Sequence, residues 1–196
     1  LKKRLNLLSS KKDEIIFKDQ SKYQILDNFF SQINLEIIKL KEFQNENNID
    51  LDFSVPKENR IISPSDVGFH NVIHSKNEAI FVDFEYAGWD DPCKLFCDLL
   101  LQPDHNIPIQ YMDVLEFFFR KYILTINYTL DTVVFMLKLN RIKWSLIILN
   151  VVLYKNDICS NASLDLLEIK IKKSINYLEN SLLRINFIEK NFLKNI

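Results

Sequence analysis

The sequence predicts a mainly helical fold with one small β-hairpin. Apolar residues recur at helical spacing through most of the 196 residues, whereas the only convincing strand signal lies between residues 60 and 84. With 47% hydrophobic and 26% charged residues, the composition is typical of a globular chain that can bury a sizeable core. We expect one continuous lobe made of three segments.

The first segment, residues 1–59, is predicted to be a linker followed by a long helix. Between Tyr23 and Phe43 the apolar residues are three or four positions apart, which puts on one helix face Leu26, Phe30, Ile33, Ile37 and Leu40. Residues 44–59 are polar and lose this periodicity, so we expect a loop there.

The second segment, residues 60–104, carries the β signal. Three apolar runs predict short strands, at residues 60–62, 71–74 and 79–84. The polar residues 75–78 connect the last two runs as a hairpin. Asp91 and Pro92 then provide an N-cap and a first-turn proline for a helix that Pro103 ends.

The third segment, residues 105–196, is predicted to be a helical bundle. Apolar spacing predicts three helices, at about 108–124, 131–154 and 164–193. We expect the run from Phe117 to Phe119 and the apolar residues around Trp144 to lie in the core. The most apolar stretch, 144–154, is too short to cross a bilayer.

The composition excludes several classes of function. A net charge of -1, from 25 basic and 26 acidic residues, gives no basic excess for binding nucleic acid. The two glycines, Gly68 and Gly88, cannot form a P-loop or a dinucleotide fingerprint, and roughly 14 would be expected at average usage. The three cysteines, Cys93, Cys97 and Cys159, are too few for a disulfide framework, which favours reduced thiols and a cytoplasmic location.

Polar oxygen-bearing residues lie where the periodicity breaks. Asp66 lies in the loop between two predicted strands, and Asn71 begins the next strand. The hairpin should return Asp83 beside Asn71. Three such side chains around one point are the minimum needed to hold a hard cation such as Mg²⁺ and to orient a hydroxyl nucleophile.

Residues 62–98 resemble the catalytic core of the aminoglycoside phosphotransferase and choline kinase family, the small-molecule branch of the protein-kinase-like fold. That family has an Asp-x-x-x-x-Asn loop, then a hairpin, then an Asp-Phe/Trp-Glu-Tyr-Ala-Gly segment. Here these are Asp66 to Asn71 and residues 83–88, followed by the helix-opening Asp91 and Pro92. The loop, the hairpin, the second segment and the helix start, in this order, indicate the family more specifically than the loop pattern alone.

The resemblance implies an ATP-dependent kinase acting on a hydroxyl of a small molecule. Asp66 would accept or orient the proton of the acceptor hydroxyl, while Asn71 and Asp83 would coordinate the Mg²⁺ that bridges the nucleotide phosphates. The chain departs from the family at Pro64, where a His is usual.

A second departure concerns the nucleotide-covering N-terminal lobe, which is absent from this chain because only twenty-two residues precede the helix at Tyr23. Leu1 does not resemble a natural start, so we expect that lobe in a longer polypeptide. We expect the chain alone to be inactive without it.

An acidic and aromatic cluster follows Asp83, and the candidate acceptor-binding residues are Glu85, Tyr86, Trp89 and Asp90. Such a cluster would suit a cationic acceptor through cation–π contacts and ion pairing. The alternative is structural, with Trp89 packed under the following helix.

Three other interpretations of the site remain open. Asp66, Asn71 and Asp83 could serve turn and cap chemistry alone. The chain could be a catalytically inactive kinase-like protein or an interaction module. It could also be a metal-dependent hydrolase that uses His70 with the two aspartates, although an ordinary surface histidine is the simpler interpretation of His70.

Overall fold

The computed structural model describes residues 1–76, 78–105, 107–126, 128–154, 160–191 and 193. This part of the chain is mainly helical, with two small antiparallel sheets, which confirms the predicted helical class and the hairpin. The α-helices are α1 (Lys2–Ile15), α2 (Gln20–Glu46), α3 (Pro92–Leu101), α4 (Met112–Phe118), α5 (Leu130–Ile147), α6 (Asn150–Leu153) and α7 (Asn161–Asn191). The strands are β1 (Ile61–Ser63), β2 (Val72–Ser75), β3 (Glu78–Phe81) and β4 (Gly88–Asp90).

The chain divides into two compact units, each formed by segments that are distant in sequence. The first unit consists of residues 1–46 and 141–186, and the second of residues 47–140 and 187–196. These units cut across the three consecutive segments that the sequence suggested, because helices pair with partners far along the chain.

The first unit is helical and has an apolar interior. α1 packs against α2, and Lys12 Nζ lies 2.9 Å from Asp27 Oδ1 between them. The region before α2, expected to be a linker, is therefore mostly the helix α1. The buried apolar residues of the first unit include Leu8 and Ile15 from α1, and Leu26, Phe29, Ile33 and Leu40 from α2.

A buried arginine ties three helices of the first unit together. Arg141 on α5 is 4% exposed; its Nε donates to the backbone oxygen of Leu178 on α7 (2.9 Å), and its Nη1 donates to Glu36 on α2. Burial alone would raise the pKa of Glu36, but the hydrogen bond and charge of Arg141 outweigh it and lower the pKa.

The second unit contains the strands and α3. The predicted cap is confirmed, since Asp91 Oδ1 accepts from the backbone N–H of Cys93 at 2.7 Å and Pro92 occupies the first turn. Cys93 and Cys97 are buried free thiols, and burial raises the pKa of Cys97. Cys159 lies outside the described residues.

Two loops connect the two sheets, one from β1 to β2 and the other from β3 to β4. β1 pairs with β4, so that Ile62 lies opposite Trp89 and Ser63 opposite Gly88. β2 and β3 form the predicted hairpin, with Val72 opposite Phe81; its connection includes Asn77, which lies outside the described residues. The pairing of β1 with β4 was not predicted, because Gly-Trp-Asp is a poor strand sequence.

The predicted helix at 108–124 is not one regular helix. It consists of a 3-10 turn (Ile109–Tyr111), α4 and a π-helix (Phe119–Ile123). The prediction that the whole phenylalanine run is core was wrong, because Phe119 is fully buried while Phe117 is 64% exposed. Consecutive helical residues are about 100° apart, so three in a row cannot share one buried face.

The other two predicted C-terminal helices are present with altered bounds. The region 131–154 forms α5 and the short α6, and 164–193 corresponds to α7. Across the described ranges, no helix is both long and apolar enough to span a bilayer.

Candidate functional site

The candidate residues lie on two loops whose ends are held by the same strands. The first loop, residues 64–71, leaves β1 and enters β2, while the second, residues 82–87, leaves β3 and enters β4. Because β1 pairs with β4 and β2 with β3, each end of one loop is fixed beside an end of the other. The two loops therefore run alongside each other.

A tight turn sets the position of Asp66 in the first loop. The backbone N–H of Asp66 donates to the Pro64 oxygen at 2.9 Å, which closes a three-residue turn around Ser65 with φ of 68°. This left-handed conformation is costly for Ser, and strained backbone concentrates at functional sites. The buried Ser63 supports the turn, since its Oγ accepts from the Ser65 N–H at 3.1 Å. The Asp66 side chain is 47% exposed.

Asn71 links the two loops. Its side-chain Nδ2 donates to the backbone oxygen of Asp66 at 3.0 Å, and its own backbone oxygen accepts from Val82 at 2.9 Å. Asn71 is 9% exposed, so these bonds lie in a sheltered position where they are difficult to replace by water. The amide oxygen is the atom of Asn71 that can coordinate a hard cation.

Asp83 is the residue after Val82, whose backbone N–H donates to the backbone oxygen of Asn71. Its φ is 64°, a left-handed conformation that Asp and Asn tolerate better than most other residues. Its side chain is exposed. Hydrogen bonds of Asn71 thus reach the backbone of Asp66 and the residue that precedes Asp83.

The aromatic residues of the second loop face solvent. Tyr86 is 72% exposed and Trp89 on β4 is 68% exposed, so the alternative that Trp89 packs under α3 was wrong. A hydrogen bond with Glu85 and its charge raise the pKa of Tyr86. These groups can offer an aromatic face and a carboxylate to a ligand.

Asp90 makes hydrogen bonds to residues at the N-terminal end of α3. Its Oδ1 accepts from the Asp91 N–H at 2.9 Å and its Oδ2 lies 2.6 Å from Lys94 Nζ, which also lies 3.3 Å from the buried Asp98. Burial lowers the pKa of Lys94, but its bonds to these carboxylates outweigh that effect and raise it. Both oxygens of Asp90 thus have local partners, and we assign it to support of α3 rather than to ligand binding.

Two hydrogen-bonding contacts near the site were not predicted from the sequence. Tyr128 donates to Asp91 Oδ2 at 2.6 Å from 37 positions along the chain. His70 Nε2 lies 3.4 Å from Asp66 Oδ2, a contact that the spacing of four residues in a loop does not predict.

Carboxylate and amide oxygens are ligands of the kind that Mg²⁺ takes, whereas zinc sites in proteins are built mainly from histidine and cysteine. Within the described ranges, no group of three or more His, Cys, Asp or Glu side chains is arranged to hold a metal ion. The interpretation as a hydrolase using Asp66, His70 and Asp83 therefore lacks its ligand set. Mg²⁺ commonly takes one or two protein oxygens and completes its shell with phosphates and water, which Asn71 and Asp83 could provide.

No protein-family model, curated protein or solved structure matches the chain. The residues and geometry of the two loops are therefore what bears on the function of this chain.

Proposed function

We propose that this chain is the helical lobe of a protein-kinase-like phosphotransferase that transfers phosphate from ATP to a hydroxyl of a small molecule in the cytoplasm. The supporting observation is the pair of adjoining loops, in which Asn71 bonds both the backbone of Asp66 and the backbone next to Asp83. That arrangement supports Asp66 as the base and Asn71 and Asp83 as Mg²⁺ ligands, because hydrogen bonds connect the two loops that carry them.

In the proposed reaction, the acceptor oxygen attacks the γ-phosphorus of ATP. The bond from that phosphorus to the bridging oxygen breaks, and its electron pair leaves on ADP. The Asp66 carboxylate orients the hydroxyl and takes its proton. When bound, Mg²⁺ neutralises phosphate charge, and Asn71 and Asp83 would hold it.

The exposed Tyr86 and Trp89, together with Glu85, support a cationic acceptor. An aromatic face and a carboxylate attract an ammonium group more strongly than a neutral one. The partner of this site is therefore a hydroxylated small molecule, with a positive charge favoured.

The test is Mg²⁺-dependent phosphate transfer by the full-length polypeptide, measured as ADP release and as phosphorylated product with a panel of amino alcohols and sugars. We expect Asp66→Asn and Asp83→Asn to lower kcat by about 100-fold or more, because each removes a charge needed in the transition state. Asn tolerates the left-handed backbone at position 83, so the second variant should remain folded.

Asp52→Asn is the matched control, since Asp52 is an exposed aspartate of the same unit that belongs to neither loop. It should retain wild-type activity. Wild-type rates in Asp66→Asn and Asp83→Asn would refute the assignment.

A second candidate is a kinase-like interaction module without turnover. The observation that favours it is the exposure of apolar side chains on both faces of the hairpin, with Ile73 54%, Ile80 48% and Phe81 54% exposed. Exposed apolar surface of this kind often marks an interaction site. A folded full-length protein that binds no nucleotide in the presence of Mg²⁺ would favour this candidate.

A further inference from the structure

The His70 ring lies between Gly68 and the carboxylate of Asp66. His70 Nε2 is 3.4 Å from Asp66 Oδ2. A Cβ atom added at Gly68 would lie only 2.5 Å from Cε1 and 2.6 Å from Nδ1 of this ring. The ring thus occupies the space that any side chain at position 68 would need.

The glycine at position 68 is required for space and not for backbone conformation. Its φ is -175°, an extended value that any residue can adopt. On its other side, the buried Gln102 at the end of α3 has Nε2 3.2 Å from the same Cβ position. Gly68 is therefore enclosed between a buried amide and the histidine ring.

The backbone around His70 is short and internally bonded. Residues Phe69–Asn71 form a 3-10 turn, and the Asn71 N–H donates to the Gly68 oxygen at 3.0 Å. Since Asn71 is also bonded to Asp66 and Val82, the turn that carries His70 is fixed to the same frame as the candidate base.

We propose that His70 is a positioning residue for Asp66. Nε2–H donates to Oδ2 and restricts the rotation of the carboxylate, and Gly68 provides the space that makes this contact geometrically accessible. The inference rests on the proposed phosphotransferase function, because it assigns His70 a role through Asp66. At 3.4 Å the bond is long, so its effect is on orientation, and misplacement of a catalytic group can cost about 100-fold in rate.

Three variants separate this role from simple packing. His70→Ala removes the donor, whereas His70→Gln keeps an N–H donor on the same turn. Gly68→Ala leaves His70 in the sequence but forces its ring to move. Gly88→Ala is the matched control for the added methyl group, since a Cβ there meets nothing within 4 Å.

The first measurement needs no catalytic activity. The imidazole ¹⁵N resonances of His70 are recorded at one fixed pH in the full-length protein and its variants. We expect the Nε2 resonance to shift in Asp66→Ala and in Gly68→Ala, and to stay at its wild-type position in Gly88→Ala. An unchanged Nε2 resonance in Asp66→Ala would overturn the proposal.

The second measurement is steady-state phosphate transfer. We expect His70→Ala to lower kcat by about 10- to 100-fold with little change in KM for ATP, and His70→Gln to recover part of the loss. Gly68→Ala should slow the wild-type protein but add no further loss in the His70→Ala background, because it acts through the ring. Thermal unfolding of each variant identifies any that fails to fold, and His70→Gln with Gly68→Ala then carries the test.

The outcomes distinguish this inference from the proposed function. Active wild-type protein with an equally active His70→Ala variant would reject the role of His70 and leave the phosphotransferase assignment intact. Absence of transfer in the wild-type protein, with the Nε2 shift present, would reject both the assignment and the positioning role while establishing the contact itself.

Discussion

At the scale of single residues, both carboxylate oxygens of Asp91 accept hydrogen bonds beside the candidate site. One of its oxygens caps α3 through the Cys93 N–H, and the other accepts the Tyr128 hydroxyl at 2.6 Å. Burial, reinforced by this hydrogen bond, raises the pKa of Tyr128. The cap that opens α3 is thus fixed by a residue distant in sequence.

We predict that Tyr128→Phe destabilises the protein by about 1 to 2 kcal/mol, because it leaves one oxygen of a partly buried carboxylate without its donor. Urea unfolding of the full chain measures the change. Tyr111→Phe, at an exposed tyrosine, is the control and should stay within about 0.5 kcal/mol of the wild type. Equal stability of Tyr128→Phe and wild type would show that this hydrogen bond contributes little.

Ser65 and Asp83 have left-handed backbone conformations that neighbouring hydrogen bonds explain. Both have positive φ, and each lies within one residue of a bond that fixes a loop, Asp66 to Pro64 in one case and Val82 to Asn71 in the other. Strain of this kind persists where surrounding contacts determine the backbone. Backbone hydrogen bonds therefore accompany the left-handed residue in each loop.

At the scale of elements, α3 packs through aromatic side chains against the end of α4 and the π-helix that follows it. Phe96 on α3 is 1% exposed, and its ring lies 5.5 Å from that of Phe119 and 6.4 Å from that of Phe118. Edge and stacked contacts of this kind add to the free energy of burial. They anchor α3, whose N-terminal cap lies next to β4.

We predict that two alanine substitutions in the same phenylalanine run lower the free energy of unfolding by very different amounts. Phe119→Ala should cost about 3 to 5 kcal/mol, because it opens a cavity beside Phe96. Phe117→Ala should cost no more than about 1 kcal/mol, because its side chain is mostly in solvent. Comparable losses for the two variants in thermal or urea unfolding would contradict the burial described above.

At the scale of the whole molecule, ion pairs of the first unit link its stability to pH. Glu168 on α7 pairs with Lys172 and with Lys22 on α2, and these partners lower its pKa to about 2 from an ordinary value of 4.5. The pKa of Glu36 is also lowered beside Arg141. Carboxylates with depressed folded pKa values stabilise the folded state above their unfolded values, and this stabilisation is lost in acid.

We therefore expect the free energy of unfolding to fall as the pH drops from about 4.5 toward 2. Glu168→Gln should make this fall less steep, because its side chain no longer takes up a proton on unfolding. Urea titrations at a series of pH values provide the measurement. Glu42→Gln, at an exposed glutamate of α2, is the control and should keep the wild-type slope. A wild-type slope in Glu168→Gln as well would contradict the prediction.

The sequence by itself determined the helical class, the hairpin and the cap of α3, because helix period, strand alternation and capping are local in the chain. That Asp66, Asn71 and Asp83 act as one set stays a prediction, which came from the spacing of the loop, the expected return of the hairpin and the resemblance of residues 62–98. The different burial of Phe117 and Phe119 is also local in origin, because consecutive helical residues point about 100° apart.

Only the tertiary structure decided the pairing of β1 with β4, the exposure of Trp89, and the contacts of Tyr128 with Asp91 and His70 with Asp66. The physical reason is that the first three depend on which distant segments meet. The fourth depends on a space at Gly68 between the His70 ring and a buried glutamine, and neither spacing nor composition encodes such a space.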